Sequence, residues 1–190
     1  MIQRRFCSIL KAQLNPHFLF NSLNNIFALT SIDLPKGRES IIKLSDALRY
    51  MLYKTDTDRV PLKSEIEYLS NYIELEKLRL ESVNDIHIKL PIVNSDKQIA
   101  PLILLPFVEN CFKHSDKATP EIEIKINVDN NNLRLMCKNN KAESIMKEDG
   151  GVGMTNAKKR LELIYENGYE LKIGDKANYY KIELTLDLNA

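Results

Sequence analysis

The sequence predicts an α+β protein, in which a helical hairpin is followed by a two-layer α/β sandwich built on a mostly antiparallel sheet. Two composition regimes lead to this prediction. Residues 1–82 have a helical apolar period and one glycine, whereas residues 83–190 hold the other five glycines and alternate β-rich with helical runs. The length of 190 residues suits one ordinary domain or two small ones. Because the polar segment 56–61 suits a linker, we expect two units, a hairpin over residues 1–58 and a sandwich over residues 59–190.

The first helix is expected over residues 3–30, where apolar side chains recur at helical spacing and Pro16 interrupts the pattern. A proline within a helix lacks an N–H and clashes with the carbonyl four residues back, here that of Ala12. The helix should therefore be kinked, at a cost of about 3 kcal/mol. Such a kink beside an imidazole favours a functional site over ordinary packing.

The second helix is expected over residues 38–54, after a turn marked by Asp33, Pro35 and Gly37. Together the two helices form an antiparallel hairpin. Two helices alone bury too little surface to be stable, so their apolar stripes are expected to pair with those of a second copy. The sequence thus predicts a homodimer through a four-helix bundle.

The second part of the chain switches between strand and helix patterns in a way that is typical of a sandwich. Apolar and polar residues alternate in its β-rich runs, and helical patterns separate some of these runs, which predicts helices on one face of the sheet. The expected elements are a linker at 56–61, helices at 62–80, 101–115 and 155–165, and strands at 85–93, 121–128, 132–139, 169–173 and 179–188.

Charge and composition exclude several classes of function. The 27 basic and 26 acidic side chains give a net charge of +1, which disfavours nucleic acid as a partner. No run approaches the ~18 apolar residues of a membrane span, and no signal-peptide pattern is present. The three cysteines have no metal-binding spacing and suit a reducing compartment.

The first candidate site combines His17 with Asn21, which lies one helical turn further along the same face. A neutral imidazole is a competent nucleophile near pH 7, and its free nitrogen can attack an electrophilic phosphorus. An amide at this spacing can orient the ring without adding charge. The alternative is that His17 is an ordinary surface or packed histidine in a kinked helix.

A second candidate lies in the segment FVENCFKHS, where Asn110, Lys113 and His114 share one helix face. An amide oxygen, an ammonium and an imidazole that converge on one cleft suit a Mg²⁺–polyphosphate group, with Asn110 as a neutral metal ligand. The alternative is a polar face turned to solvent, because basic residues in a last turn are also favoured by the helix dipole.

A third candidate is the glycine-rich segment DGGVGMTN, which contains Gly151 and Gly153 and opens a helix near Thr155. Glycines let the backbone approach an anion closely, and the start of a helix offers free N–H groups. The alternative is a flexible loop with a tight turn. No GxxxxGK[ST] segment occurs, which excludes a P-loop.

In this order, the segments resemble those of the sensor histidine kinases of the LytS type, and the similarity covers nearly the whole chain. Each matching segment corresponds to a motif of that family: a phosphoacceptor segment, a second hairpin helix, the approach to the ATP-binding part, an N box and a glycine box. In the same order, the matching segments of this sequence are LNPHFLFNSLN (14–24), LSDALRYML (44–52), VPLKSEIEYLSNYIELEKLRL (60–80), PLILLPFVENCFKHS (101–115) and GGVGMTNAKKRLELIY (150–165).

This resemblance implies that the hairpin is a dimerisation and histidine-phosphotransfer unit and that the remainder is a GHKL-type ATP-binding domain. His17 would be phosphorylated by ATP and would pass the phosphoryl group to an aspartate of a response-regulator receiver domain. The implied location is the cytoplasmic side of the membrane, with any membrane anchor supplied by an upstream region that is not in this sequence.

The resemblance also implies roles for the nucleotide-binding residues. Asn110 would hold Mg²⁺, while Lys113 and His114 would face the phosphates of ATP. Gly151 and Gly153 would shape a mobile lid over the nucleotide.

The sequence departs from the family pattern in two places. Related ATP-binding domains have an Asp-x-Gly-x-Gly segment whose aspartate reads the adenine amino group. Here Asn139 is the best positional match, and its amide oxygen is a neutral acceptor. In addition, Phe18 follows His17, where many histidine kinases have an acid.

These departures keep a second hypothesis open, namely a degenerate, non-catalytic dimerising module that binds nucleotide weakly or not at all. A GHKL-type ATPase is disfavoured, because the position four residues before Asn110 is Pro106, which cannot activate water.

Overall fold

A computed structural model describes residues 16–54, 56–80, 82–93, 95–141 and 152–189 of the chain. Helix α1 (Pro16–Ile32) therefore contains the described part of the first predicted helix. Ala12, whose carbonyl the predicted kink would leave without a partner, lies outside the described residues, and so does Gly151.

A single residue, Asp33, separates the two helices of the hairpin, whereas the sequence predicted a turn that extends from Asp33 to Gly37. Helix α2 (Leu34–Tyr53) follows α1 after Asp33, whose side chain accepts a hydrogen bond from the Lys36 N–H at 3.0 Å and so caps the helix. Pro35 is tolerated because it lies in the first helical turn. Gly37 is required there by a close approach, since a Cβ at this position would lie 2.6 Å from Thr30 Cγ2.

The other elements follow the predicted order, with two short strands that the sequence reading missed. They are β1 (Val60–Pro61), α3 (Leu62–Lys77), β2 (Ile86–Lys89), β3 (Gln98–Ile99), α4 (Leu105–His114), β4 (Ile122–Asp129), β5 (Asn132–Asn140), α5 (Val152–Tyr165), β6 (Tyr169–Asp175) and β7 (Tyr179–Asp187). Strands β1 and β3 pair with each other outside the main sheet.

The main sheet has the order β2-β4-β5-β7-β6, in which only the β2–β4 pair is parallel. Along β4, β5 and β7 the buried residues alternate with more exposed ones, which places the helices on one face of the sheet. The predicted α+β class and the mostly antiparallel mixed sheet are confirmed. The buried side chains are Ile122, Ile124, Ile126, Leu133, Leu135, Cys137, Ile182, Leu184 and Leu186.

Helix α4 begins at Leu105, four residues after the predicted start. The reason is Leu102, whose φ of 55° is in the left-handed region. This conformation costs an L-residue about 1–2 kcal/mol and cannot continue a right-handed helix. Residues 101–104 therefore form a loop, and Pro106 instead lies in the first turn of the helix.

The hairpin packs on α3, and the buried apolar residues of both belong to one continuous core. Tyr50 of α2 stacks on Tyr68 of α3, with ring centroids 4.8 Å apart. The proposed division into residues 1–58 and 59–190 falls between α2 and β1. Among the described residues, none of the helices has the length and apolarity needed to cross a membrane.

Candidate active site

His17 is exposed in the first turn of α1, and its only described hydrogen-bond partner is Asn21. The Asn21 Nδ2 atom lies 3.1 Å from both ring nitrogens of His17, one turn away as predicted. This contact can orient the imidazole ring without adding charge. The structure therefore brings these two predicted residues together and leaves the ring accessible.

Helix α4 turns one face to the core and another outward. Phe107, Val108, Cys111 and Phe112 are buried against the sheet and the neighbouring helices. Of the predicted site residues, Asn110 and His114 are half-buried and Lys113 is exposed. This arrangement agrees with the predicted common face, because residues three and four apart are neighbours on a helix.

Asn139 lies on β5, the strand against which α4 packs. Strand alternation places it on the helix-covered face, where its side chain is only 1% exposed. Its Nδ2 donates to the Asn140 carbonyl at 2.7 Å, and its Oδ1 is buried without a hydrogen bond to any described group. A buried polar atom is normally paired, so this oxygen lacks the donor that a buried acceptor usually has.

The neighbouring Asn140 has a structural role. Its Oδ1 accepts from the N–H groups of Asp116 at 3.3 Å and Glu121 at 3.1 Å, and its Nδ2 donates to the Thr119 carbonyl at 2.7 Å. These bonds hold the loop between α4 and β4. Of the two asparagines, only Asn139 has an open acceptor among the described residues.

The glycine segment is only partly described. Gly153 is exposed in the first turn of α5, and a Cβ there would have no neighbour within 4 Å. Helix α5 begins at Val152, before the predicted Thr155. Gly151 lies outside the described residues, so its predicted role stays a prediction.

The two parts of the predicted site are not joined in this structure. Among the described residues, no hydrogen bond or ion pair connects His17 with Asn110, Lys113 or Asn139. Two surface grooves of about 660 Å³ and 340 Å³ also lie elsewhere, one between α2 and α3 and one on the open face of the sheet. No group of three or more histidine, cysteine or acidic side chains in the described part of the chain forms a metal site.

The sequence reading missed a buried polar cluster between the hairpin and α3. Glu65 is fully buried, and its Oε2 accepts from the Tyr50 hydroxyl at 2.5 Å and from the Leu102 N–H at 3.0 Å. Burial raises the pKa of Glu65, and the hydrogen bonds it accepts oppose that rise. Burial also raises the pKa of Tyr50. The sequence does carry a signal for this cluster. Glu65 lies three residues after Leu62 and four before Leu69, so a glutamate falls within the apolar face of the helix.

A family model described as histidine kinase matches residues 7–83. The sensor histidine kinase BtsS of Escherichia coli (strain K12) is 30% identical over 98% of this chain and 34% of its own length. The sensor protein LytS of Staphylococcus epidermidis (strain ATCC 35984) is 37% identical over 57% of this chain and 18% of its own length. The chain thus spans about a third of the length of BtsS.

Comparison with solved structures finds weaker likeness. The histidine kinase AdeS of Acinetobacter baumannii has a TM-score of 0.48 and 15% identity, with 96% of this chain and 95% of that chain covered. The catalytic domain of the histidine kinase ThkA has a TM-score of 0.46 and 14% identity, with 68% of this chain and 94% of that chain covered.

Proposed function

Because this chain belongs to the LytS-type sensor histidine kinases, we propose that it is a kinase core that phosphorylates His17 with ATP. The observation that supports this proposal most is the exposure of the His17 ring beside Asn21. A phosphoryl donor must reach a ring nitrogen directly, so a histidine enclosed in the core would be incompatible with the reaction.

The proposed ATP site lies between α4, the start of α5 and the end of β5. The buried Asn139 Oδ1 fits an adenine amino group, since it is an acceptor that lacks a donor and its Nδ2 is already engaged. Asn110 would hold Mg²⁺, which neutralises charge on the phosphates of bound ATP. Lys113 and His114 would face the phosphates, and Gly151 with Gly153 would cover them.

In the proposed reaction, the unprotonated ring nitrogen of His17 forms a bond to the γ-phosphorus of ATP. The bond from that phosphorus to the bridging oxygen breaks, and ADP leaves with this oxygen. The proton on the other ring nitrogen passes to solvent, which reaches the exposed ring. Asn21 orients the ring, so the contribution of the protein is mainly position and charge neutralisation.

The proposed partners follow from the same function. Apolar side chains on the hairpin are exposed in the single chain, including Phe20 at 65% and Phe27 at 76%, which supports a homodimer through a four-helix bundle. The phosphoryl group would pass from His17 to an aspartate of a response-regulator receiver domain. We place the core on the cytoplasmic side of a membrane, with any anchor upstream of this sequence.

The test is incubation with γ-labelled ATP and Mg²⁺. We expect label that is acid-labile and base-stable, that is lost in His17→Ala and that is retained in His87→Ala. His87 is a matched control because it is an exposed histidine on β2. Absence of label in the unmutated chain, or label that persists in His17→Ala, would contradict the proposal.

The alternative, a degenerate module without catalysis, is distinguished by calorimetry with a non-hydrolysable ATP analogue and Mg²⁺. Affinity that is lost in Asn110→Ala supports the kinase. If the unmutated chain has no measurable affinity for the analogue, the module becomes the better description.

A further inference from the structure

The loop that precedes α4 is strained and is held by side chains from two helices. Leu102 has a φ of 55°, an uncommon conformation for a bulky side chain. Its N–H donates to Glu65 of α3 at 3.0 Å. Its carbonyl and that of Pro101 accept from Arg160 of α5, at 3.4 Å and 2.8 Å. Such a conformation persists only where the surroundings hold it in place.

A further side chain of α5 completes this support. The Tyr165 hydroxyl accepts from the Ala100 N–H at 3.0 Å, and the Arg59 guanidinium lies 4.8 Å from the centroid of the same ring. Helix α5 is the one that the glycine segment opens. The loop therefore joins α3, α5 and the start of the helix that carries Asn110.

Among the described residues, the hydroxyl group of Tyr50 links the hairpin to this loop. Tyr50 of α2 donates to the same Glu65 oxygen that accepts from Leu102, so a single carboxylate oxygen connects the two segments. The low local dielectric strengthens such buried hydrogen bonds. A change in the position of α2 would therefore alter the hydrogen bonds that Glu65 makes.

We propose that Glu65 is a positioning residue for the nucleotide site, which fixes the start of α4 through Leu102, and that Tyr50 makes this position depend on the hairpin. This proposal rests on the proposed ATP site. Glu65 does not touch the nucleotide; it acts by keeping Asn110 in place for the phosphates and the metal. The hairpin and the ATP site are thereby coupled within one chain, in addition to any contact through His17.

The decisive variant is Tyr50→Phe, which removes one hydroxyl and keeps the ring. We expect it to weaken binding of a non-hydrolysable ATP analogue with Mg²⁺ about threefold to tenfold, because a buried hydrogen bond is lost. Tyr53→Phe is the matched control, since Tyr53 is exposed on the same helix.

Glu65→Leu should weaken binding of the analogue more than Tyr50→Phe does. Glu65→Gln keeps an acceptor oxygen, so its binding should be close to that of the unmutated chain. Glu67→Leu, at an exposed position of α3, should have no effect.

Hydrogen exchange in the nucleotide-free chain separates this proposal from the proposed function. Residues 100–108 should exchange faster in Tyr50→Phe and Glu65→Leu than in the unmutated chain, and at an unchanged rate in the two controls. If the unmutated chain binds no nucleotide, the proposed function fails, and exchange still tests the positioning of α4. Unchanged exchange and unchanged nucleotide affinity in a folded Tyr50→Phe protein would overturn the proposal. Loss of folding in Glu65→Leu alone would not affect this test.

Discussion

Phe18, the residue that follows His17, stacks on Tyr72 of α3 with ring centroids 4.8 Å apart. Burial raises the pKa of Tyr72, and the carboxylates of Glu76 and Glu109 raise it further. Glu109 immediately precedes Asn110 on α4. The position that many histidine kinases fill with an acid is therefore used here for packing. The Phe18 ring holds the turn of α1 that carries His17 against α3, which belongs to the same unit as the proposed ATP site.

The first prediction concerns this ring contact. Phe18→Ala should lower the free energy of unfolding by about 3 kcal/mol, because a buried phenyl ring is removed and a cavity is left. Asn24→Ala, at an exposed position of the same helix, should change it by less than about 0.5 kcal/mol. Denaturant titration measures both. A Phe18→Ala protein as stable as the Asn24→Ala protein would show that the stacking is not maintained in solution.

The second prediction concerns base recognition by Asn139. Its oxygen accepts from an amino group, whereas guanine presents a carbonyl at the corresponding position, so ATP should bind more tightly than GTP. Asn139→Leu removes the acceptor and should weaken ATP binding about tenfold, with little effect on GTP. Calorimetry measures both affinities.

Asn127→Leu is the control for this variant, since it makes the same change at an exposed position of β4. If Asn139→Leu retained the full preference for ATP over GTP, the adenine would have to be recognised elsewhere.

The third prediction concerns the exposed hairpin surface. Phe27→Lys and Ile42→Lys place charges on side chains that are exposed in the single chain and would be buried in a dimer. Each should raise the dimer dissociation constant about tenfold or more, because central apolar contacts typically contribute about 2 kcal/mol. Sedimentation equilibrium measures this constant. Ile92→Lys changes an exposed isoleucine outside the hairpin and should leave it unchanged; equal effects at all three positions would contradict dimerisation through the hairpin.

The spacing of apolar residues in the sequence predicted most of the helices and strands, because this spacing reflects which side of each element is buried. The alternation in β5 follows directly from the sequence, and it also explains why Asn139 points to the helix-covered face. The contact between His17 and Asn21 could likewise be predicted, because four residues make one helical turn.

Long-range hydrogen bonds explain what the sequence could not predict. Pro101 favoured a helix start, but the loop after it is fixed by Glu65 and Arg160, which are distant in the chain. Two-residue strands such as β1 give no detectable period. The open acceptor of Asn139 depends on which way its amide points, and this is set by the Asn140 carbonyl.

The fourth prediction concerns pH and follows from the buried carboxyl of Glu65. Burial raises its pKa above the ordinary value of 4.5, so the folded state binds this proton more tightly than the unfolded state. The contribution to stability is therefore fully present below pH 4.5 and is lost as the pH rises through the folded pKa. Each pKa unit of the shift corresponds to about 1.4 kcal/mol. Glu76 has a raised pKa for the same main reason, so the unmutated chain alone cannot isolate Glu65.

Glu65→Gln isolates this contribution, because it removes one titrating group and keeps an acceptor for Tyr50. The difference in unfolding free energy between Glu65→Gln and the unmutated chain should grow in favour of the variant as the pH rises above 4.5, and it should level off above the folded pKa. Urea titrations at a series of pH values measure this difference. A difference that stays constant with pH would mean that Glu65 titrates at its ordinary value and is more hydrated than its buried position indicates.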